Sequence, residues 1–133
     1  MPSFGKSSTQ RLATCHPDLQ RLFEEVVKIF DCTILTGHRG EVDQNRAFDQ
    51  GRSKLRWPNG NHNRLPSTAV DVAPYPIPDW TKGVLDFAMF GGYVQGVAAN
   101  MGIKIRYGGD WNGNKRISDE NFKDLVHFEL LEP

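Results

Sequence analysis

The sequence predicts a single α+β domain. Its elements, read in order, are a helix, a strand, a short helix, a strand, a long helix and two closing strands, which favours helices packed on a small sheet. A chain of 133 residues has the usual length of one domain and can bury a sizeable core. Apolar residues make up 38% of it, and 13 glycines and 8 prolines indicate many loops.

The first predicted helix spans residues 17–30. Its apolar residues recur at spacings of three and four, the pattern of an amphipathic helix. Pro17 suits the first turn, and Asp18 is well placed against the positive end of the helix dipole. His16 lies just outside this helix, so we expect it to be a surface or capping residue and not a metal ligand.

Two cysteines, Cys15 and Cys32, lie on either side of this helix. A helix of that length separates them by about 21 Å, whereas a disulfide needs Cα atoms within about 7 Å, so both are predicted to be free thiols. Residues 1–15 are assigned to no element and are treated as a flexible part of the same domain. No segment is apolar enough for a signal peptide or a membrane span, which predicts synthesis in a cytosol without stable membrane association.

A short β-branched strand is predicted at residues 32–36, followed by a loop at 37–40 and a short helix at 41–50. Arg39 in this loop can act as an anion clamp for a substrate carboxylate or a developing oxyanion, because its planar fork matches either. The alternative is an ordinary solvated loop arginine. His38 beside it competes for a role as metal ligand.

Residues 52–66 form an irregular loop, as their prolines and the Asn59-Gly60 pair indicate. The loop is basic and contains Trp57, so we expect a solvated rim that can face a substrate. The whole chain has 16 Lys+Arg and 16 Asp+Glu and no nucleic-acid motif, which argues against a nucleic-acid partner.

A second strand is predicted at residues 69–73, where Asp71 shares one face with two alanines. A carboxylate on such a half-buried face needs a partner. The longest helix is predicted at residues 80–101, with Asp79 as its cap and Gly102 as its end. It is expected to be the central core helix.

The C-terminal part predicts a strand at 103–107, a short helix at 118–125 and a last strand at 126–130. Trp111, in the glycine-rich loop between them, is either a substrate wall or a lid over the core. Alternation along the last strand places three apolar residues toward the core. Its other face, on the side where Asp71 can lie, carries His127 and Glu129.

Four separated residues have the composition of a catalytic zinc centre. His62, Asp71 and His127 offer two imidazoles and one carboxylate, which leaves a fourth position open for water. Asp124, three residues before His127, is placed to serve as a general base. From spacing alone, the alternative is that these residues are unrelated.

Six short motifs also occur in a characteristic order. They are Thr36-Gly-His-Arg39, Ser53-Lys54, His62-Asn63 with Pro66-Ser67, Ala69-Val-Asp71-Val72, Gly108-Gly-Asp-Trp111 and Asp124-x-x-His127. Together they resemble the peptidase family that includes the VanY and VanX D,D-peptidases. Within that family they most resemble the short phage endolysins that act as L-alanyl-D-glutamate peptidases. The resemblance extends from about residue 16 to the C-terminus.

The resemblance implies a role for particular residues. His62, Asp71 and His127 would bind zinc, and Asp124 would be the catalytic base. Arg39 would steady the scissile carbonyl or a substrate carboxylate. Two other residues are expected to contact the substrate, Ser53 and Trp111.

The chain departs from the wider family in three ways. Its first two ligands are nine positions apart, a longer spacing than is usual in that family. Its base is Asp124 where the family often has Glu, so a shorter side chain must approach the water more closely. His38 stands where the family often has Tyr, which leaves its role open.

The resemblance implies a hedgehog/D,D-peptidase-like fold, with an antiparallel sheet, helices on one side and zinc on the other. It implies a zinc endopeptidase that cuts the L-Ala-D-Glu bond of the peptidoglycan stem peptide and lyses a bacterial host after the membrane is permeabilised. We expect the protein to be a monomer. No separate cell-wall-binding domain is expected. The alternatives are a D-Ala-D-Ala carboxypeptidase and a non-catalytic zinc-binding module. The presence of Asp124 and Arg39 argues against the module, because a structural zinc needs neither.

Overall fold

The computed structural model describes residues 2–133. Within these residues it contains four helices, four strands and one 3-10 turn. The helices are α1 (Lys6–Leu12), α2 (Pro17–Ile29), α3 (Glu41–Asp49) and α4 (Val84–Met101). The strands are β1 (Cys32–Thr36), β2 (Ala69–Pro74), β3 (Ile105–Tyr107) and β4 (His127–Leu130), and the 3-10 turn is Asn61–Asn63.

The strands form one antiparallel sheet in the order β1-β2-β4-β3. Helices α2 and α4 pack against each other, and α4 also contacts β2 and β3. Apolar side chains of both helices and of the sheet form a common buried core. The prediction of an α+β domain built on a small antiparallel sheet is therefore confirmed.

Alternation along β2 separates the core from the polar side of the sheet. Val70 and Val72 belong to the core and are fully buried. Asp71 points to the opposite face, as successive residues of a strand must. Asp71 is also the cross-strand partner of His127 in β4. The backbone register thus brings two chemically active side chains together on the side of the sheet away from the core.

The predicted ends of helix α2 are nearly correct, and His16 is its N-cap, with Nδ1 accepting a hydrogen bond of 3.0 Å from the backbone N–H of Asp18. The start of α4 was predicted too early. Asp79 does not cap the helix but accepts bonds within a separate turn, and Gly83 is the N-cap. Gly102 ends α4 in the left-handed conformation that glycine adopts readily, as predicted.

Two other predictions for the C-terminal half are wrong. Residues 118–125 form turns and bends and no helix. Polar side chains in this segment bond locally, including Asp119 with Asn114, and such bonds compete with helix formation. The strand predicted from residue 103 begins at Ile105, because the backbone N–H of Ile103 still bonds to the end of α4.

Helix α1 was not predicted, because the seven residues Lys6–Leu12 carry no apolar stripe. It covers the outer edge of β1. The hydroxyl of Ser8 accepts a 3.0 Å bond from the N–H of Ile34, and Arg11 Nη1 donates a 3.0 Å bond to the carbonyl of Ile34. Residues 6–12, which the sequence assigned to no element, therefore form a helix that bonds to the edge of the sheet.

Both cysteines are free and buried, as predicted. Burial raises the pKa of Cys15 to about 11 and that of Cys32 to about 12, so neither supplies a thiolate at neutral pH. No helix among residues 2–133 is long and apolar enough to span a membrane.

The contact between α4 and β3 depends on the small size of Gly91. A methyl group added at Gly91 would lie 2.3 Å from Cζ of Tyr107, a buried ring whose hydroxyl donates a 2.8 Å bond to the carbonyl of Leu125. Overpacking destabilises a fold by about 1–3 kcal/mol, and the better helix propensity of alanine offsets up to about 1 kcal/mol of this.

We therefore expect Gly91→Ala to lower the free energy of unfolding by about 1–2 kcal/mol in chemical denaturation. Gly92→Ala is the matched control, because its methyl group meets nothing within 4 Å and should raise stability slightly. Equal stability of the two variants would contradict this account of the contact.

Candidate metal centre

Three potential metal ligands converge on the polar face of the sheet, at atoms of His62, Asp71 and His127. Nε2 of His62 lies 3.2 Å from Oδ1 of Asp71, and the same oxygen lies 3.3 Å from Nδ1 of His127. The two ring nitrogens are 3.3 Å apart. Tetrahedral zinc with bonds of about 2.05 Å separates its ligands by roughly 3.3 Å. The triangle of donors therefore has the size that a tetrahedral ion requires, and all three residues are buried.

Local backbone structure brings His62 to the two strand residues. It lies in the 3-10 turn Asn61–Asn63, and its carbonyl accepts a 2.8 Å bond from the N–H of Arg39, just after β1. The side-chain amide of Asn63 donates to the carbonyl of Arg39 at 3.1 Å. These bonds dock the turn against the end of β1, beside the Asp71 and His127 pair.

Each imidazole is oriented by a second hydrogen bond on its outer nitrogen. Nδ1 of His62 lies 2.8 Å from the carbonyl oxygen of Gly37, which can only accept, so this nitrogen carries the proton. Nε2 of His127 lies 2.8 Å from Oε1 of Glu129. Burial works to raise the pKa of Glu129, but its bonds to His127 and Arg106 prevail and lower it to about 2, so the carboxylate also accepts. In its neutral form each imidazole therefore presents a lone pair at its inward nitrogen, as metal-ligating histidines with such outer partners do.

The charges at this centre favour a cation. Burial works to raise the pKa of Asp71, but His62 and His127 outweigh it and hold that pKa far below its usual range. Burial works to lower the pKa of His127, but its bonds to Asp71 and Glu129 prevail and raise it to about 9. A second proton on His127 would occupy Nδ1, so protons and a metal ion compete for the same atom.

Arg39 lies behind Asp71 instead of projecting freely into solvent. Its Nη2 donates to Oδ2 of Asp71 at 3.2 Å, and its Nη1 donates to Oε1 of Gln44 at 3.2 Å. Gln44 was missed by the sequence analysis although it is only 1% exposed. Its spacing of three from the buried Ala47 on α3 was the available signal. Arg39 thus holds the second oxygen of Asp71 while it also lines the adjoining cleft.

Asp124 lies in the wall of this cleft. Its backbone is held by a 2.9 Å bond from its N–H to the carbonyl of Gly108 and a 3.1 Å bond from the N–H of His127 to its carbonyl. Within residues 2–133 its carboxylate has no hydrogen-bond partner. Burial and the charge of Asp71 raise the pKa of Asp124 to about 6. A carboxylate of this kind accepts a proton readily near neutral pH.

The cleft has a volume of about 330 Å³ and an aromatic wall. The ring of Trp111 lies 5.3 Å from that of His127, so it forms a wall of the cleft and not merely a lid over the core. Ser53 lines the cleft, but its hydroxyl accepts a 3.0 Å bond from Gln44 and is part of the loop structure. His38 is not in the donor cluster; its ring bonds to the carbonyl of Arg64.

Three comparisons relate the chain to known proteins. The family model described as phage L-alanyl-D-glutamate peptidase matches residues 2–131. The L-alanyl-D-glutamate peptidase of Escherichia phage T5 is 31% identical over 135 residues, which cover 96% of this chain and 97% of that protein. The crystal structure of the Serratia marcescens L-Ala D-Glu endopeptidase ChiX has the same fold, with a TM-score of 0.73 and 24% identity over 98% of this chain and 91% of that chain. The chain belongs to the family of phage L-alanyl-D-glutamate peptidases.

Proposed function

We propose that this protein is a zinc-dependent endopeptidase that hydrolyses the L-Ala-D-Glu bond of the peptidoglycan stem peptide and serves as a phage endolysin. The observation that carries the proposal is the convergence of His62, Asp71 and His127 beside the unpartnered carboxylate of Asp124. Membership of the family and the activity named for the phage T5 relative support the choice of bond.

The donor set suits zinc. Two neutral imidazoles and one carboxylate leave a Zn²⁺ site with a net charge near +1 and, with three protein ligands, an open fourth position. Zinc held there by His62, Asp71 and His127 would supply Lewis acidity for the scissile carbonyl and lower the pKa of a water toward about 7.

Asp124 would transfer the proton from the attacking water to the leaving group. Its carboxylate accepts a proton from the attacking water and then returns it to the amine of the leaving D-Glu residue. The absence of a hydrogen-bond partner in residues 2–133 leaves its oxygens available for both transfers. The raised pKa of Asp124 suits a group that must take up and release a proton in one catalytic cycle.

The other residues of the cleft would position the reacting groups. Gln44 orients Arg39, and Arg39 in turn bonds to Asp71. A misplaced guanidinium would therefore disturb the ligand as well as any substrate carbonyl near it. Trp111 shields one side of His127 and offers a flat surface to the peptide. As an endolysin, the protein would reach the wall of the producing cell once the membrane has been breached.

Mass spectrometry of products from purified muropeptides tests this proposal. We expect the zinc-loaded protein to release fragments that end at L-Ala and begin at D-Glu. Release of a terminal D-Ala would assign the protein to the carboxypeptidases instead. Binding of zinc without any product would indicate a non-catalytic module.

A further inference from the structure

The cleft is lined by more basic side chains than pair with the buried carboxylates around the metal centre. Four basic residues line it, and two of them are neutralised by buried carboxylates. Arg39 pairs with Asp71 at 3.2 Å, and Arg106 pairs with Glu129 at 2.7 Å. Of the other two, Arg52 donates from Nε to Oε1 of Gln50 at 2.9 Å. Lys54 forms no ion pair within residues 2–133, which leaves its ammonium group available for an anionic ligand.

Lys54 is presented by a loop that is fixed on both sides of it. The buried side chain of Gln44 donates from Nε2 to the hydroxyl of Ser53 at 3.0 Å and to the carbonyl of Leu55 at 2.6 Å. The ammonium group of Lys54 lies 5.0 Å from the ring centroid of Phe122, which also lines the cleft. The ammonium group therefore lies against an aromatic ring of the cleft, on a loop whose two neighbouring residues are held by Gln44.

Aromatic contacts connect this charge to the metal centre. Phe122 stacks on Trp111 at 6.2 Å, and Trp111 donates a 2.6 Å hydrogen bond from its indole nitrogen to the carbonyl of Phe122. Trp111 in turn contacts the ring of His127. Lys54 and the metal ligands thus lie along one wall, and a peptide bound at the centre would extend past Trp111 toward the ammonium group.

The chemistry of the leaving residue matches this arrangement, on the assumption that the proposed function is correct. A glutamyl residue has two carboxyl groups, and only one of them can continue the peptide chain. The other is free and negatively charged unless it is amidated. Asp124 would repel this charge, so a cation further along the wall is needed to bind it. We infer that Lys54 binds the free carboxylate of D-Glu and makes the enzyme selective for D-Glu over its carboxamide form.

A pair of synthetic stem peptides tests the inference. The two peptides differ only in carrying the free carboxylate of D-Glu or the corresponding carboxamide. A charge-assisted hydrogen bond should give the wild type a roughly ten- to hundredfold higher kcat/KM for the acid, expressed mainly in KM. Lys54→Gln should bring the ratio close to one by lowering kcat/KM for the acid alone, and Lys54→Arg should retain the preference.

The matched control is Lys104→Gln, which removes an exposed lysine outside the cleft and should keep the wild-type ratio. Direct calorimetric binding of the product peptide that begins with D-Glu gives a second measurement independent of turnover, and Lys54→Gln should weaken this binding. An unchanged preference in Lys54→Gln would overturn the inference while leaving the proposed function intact. Cleavage of neither peptide by the zinc-loaded wild type would overturn the proposed function and the inference together.

Discussion

Replacing His62 with alanine should abolish metal binding and peptidase activity together. Its inward nitrogen lies 3.2 Å from Asp71 and 3.3 Å from His127, so the substitution removes one corner of the donor triangle. Loss of an outer-shell partner typically lowers metal affinity by about 10- to 100-fold, and loss of a direct ligand should exceed the upper end of that range. Metal analysis of the purified variant and cleavage of muropeptides measure the two losses.

The matched control for this substitution is His38→Ala, which removes a half-buried histidine that lies outside the donor cluster. It should keep both zinc and activity. Because His62 is buried, circular dichroism must show that the His62→Ala variant is folded. The wild type stripped with a chelator and reloaded with zinc gives a test without any mutation. Stoichiometric zinc in folded His62→Ala protein would remove His62 from the proposed site. Full activity after chelation would contradict the proposed dependence on zinc.

Asp124→Asn should lower the catalytic rate without lowering zinc binding. The substitution keeps the shape of the side chain but removes its ability to accept a proton, and general bases typically contribute about 10² to 10⁴ in rate. We expect kcat to fall by at least about 100-fold with zinc content unchanged. Burial raises the pKa of Asp124, so its ionised form opposes folding at neutral pH, and the melting temperature should stay the same or rise.

Asp86→Asn is the control for this change, because Asp86 is exposed on helix α4 and does not line the cleft. It should retain wild-type kcat and zinc content. Loss of zinc in Asp124→Asn would move Asp124 among the ligands. Near-normal kcat with zinc bound would require another base.

Strand patterns in the sequence predicted much of the arrangement around the proposed metal. The alternation of residues 69–73 placed Asp71 opposite Val70 and Val72, and the alternation of the last strand placed His127 on the same side as Asp71. Because such alternation has a period of two, it identifies the polar face of a strand even where it cannot identify its neighbours. His62 was included in the predicted ligand set by its residue type, and the motif resemblance supported that choice. Its approach to the strands depends on a loop that no periodicity describes.

The contacts that orient these residues were beyond sequence reasoning. The carbonyl of Gly37 accepts the hydrogen bond that orients His62. Every residue type has a backbone carbonyl, so the sequence does not indicate which one fills this role. Arg39 was expected to face the substrate, yet its guanidinium bonds to Asp71 and to Gln44. Such partners are set by the three-dimensional path of the chain, which short-range patterns do not encode.

The covering of β1 by α1 has a consequence for solubility. With a formal net charge of zero, the protein has no overall electrostatic repulsion to keep its copies apart at high concentration. Open sheet edges would then invite strand pairing between molecules. At one edge Ser8 and Arg11 already occupy the peptide groups of Ile34, and at the other edge β3 is only three residues long. We therefore expect resistance to aggregation to depend on how the sheet edges end more than on net charge, with helix α1 blocking strand addition at β1.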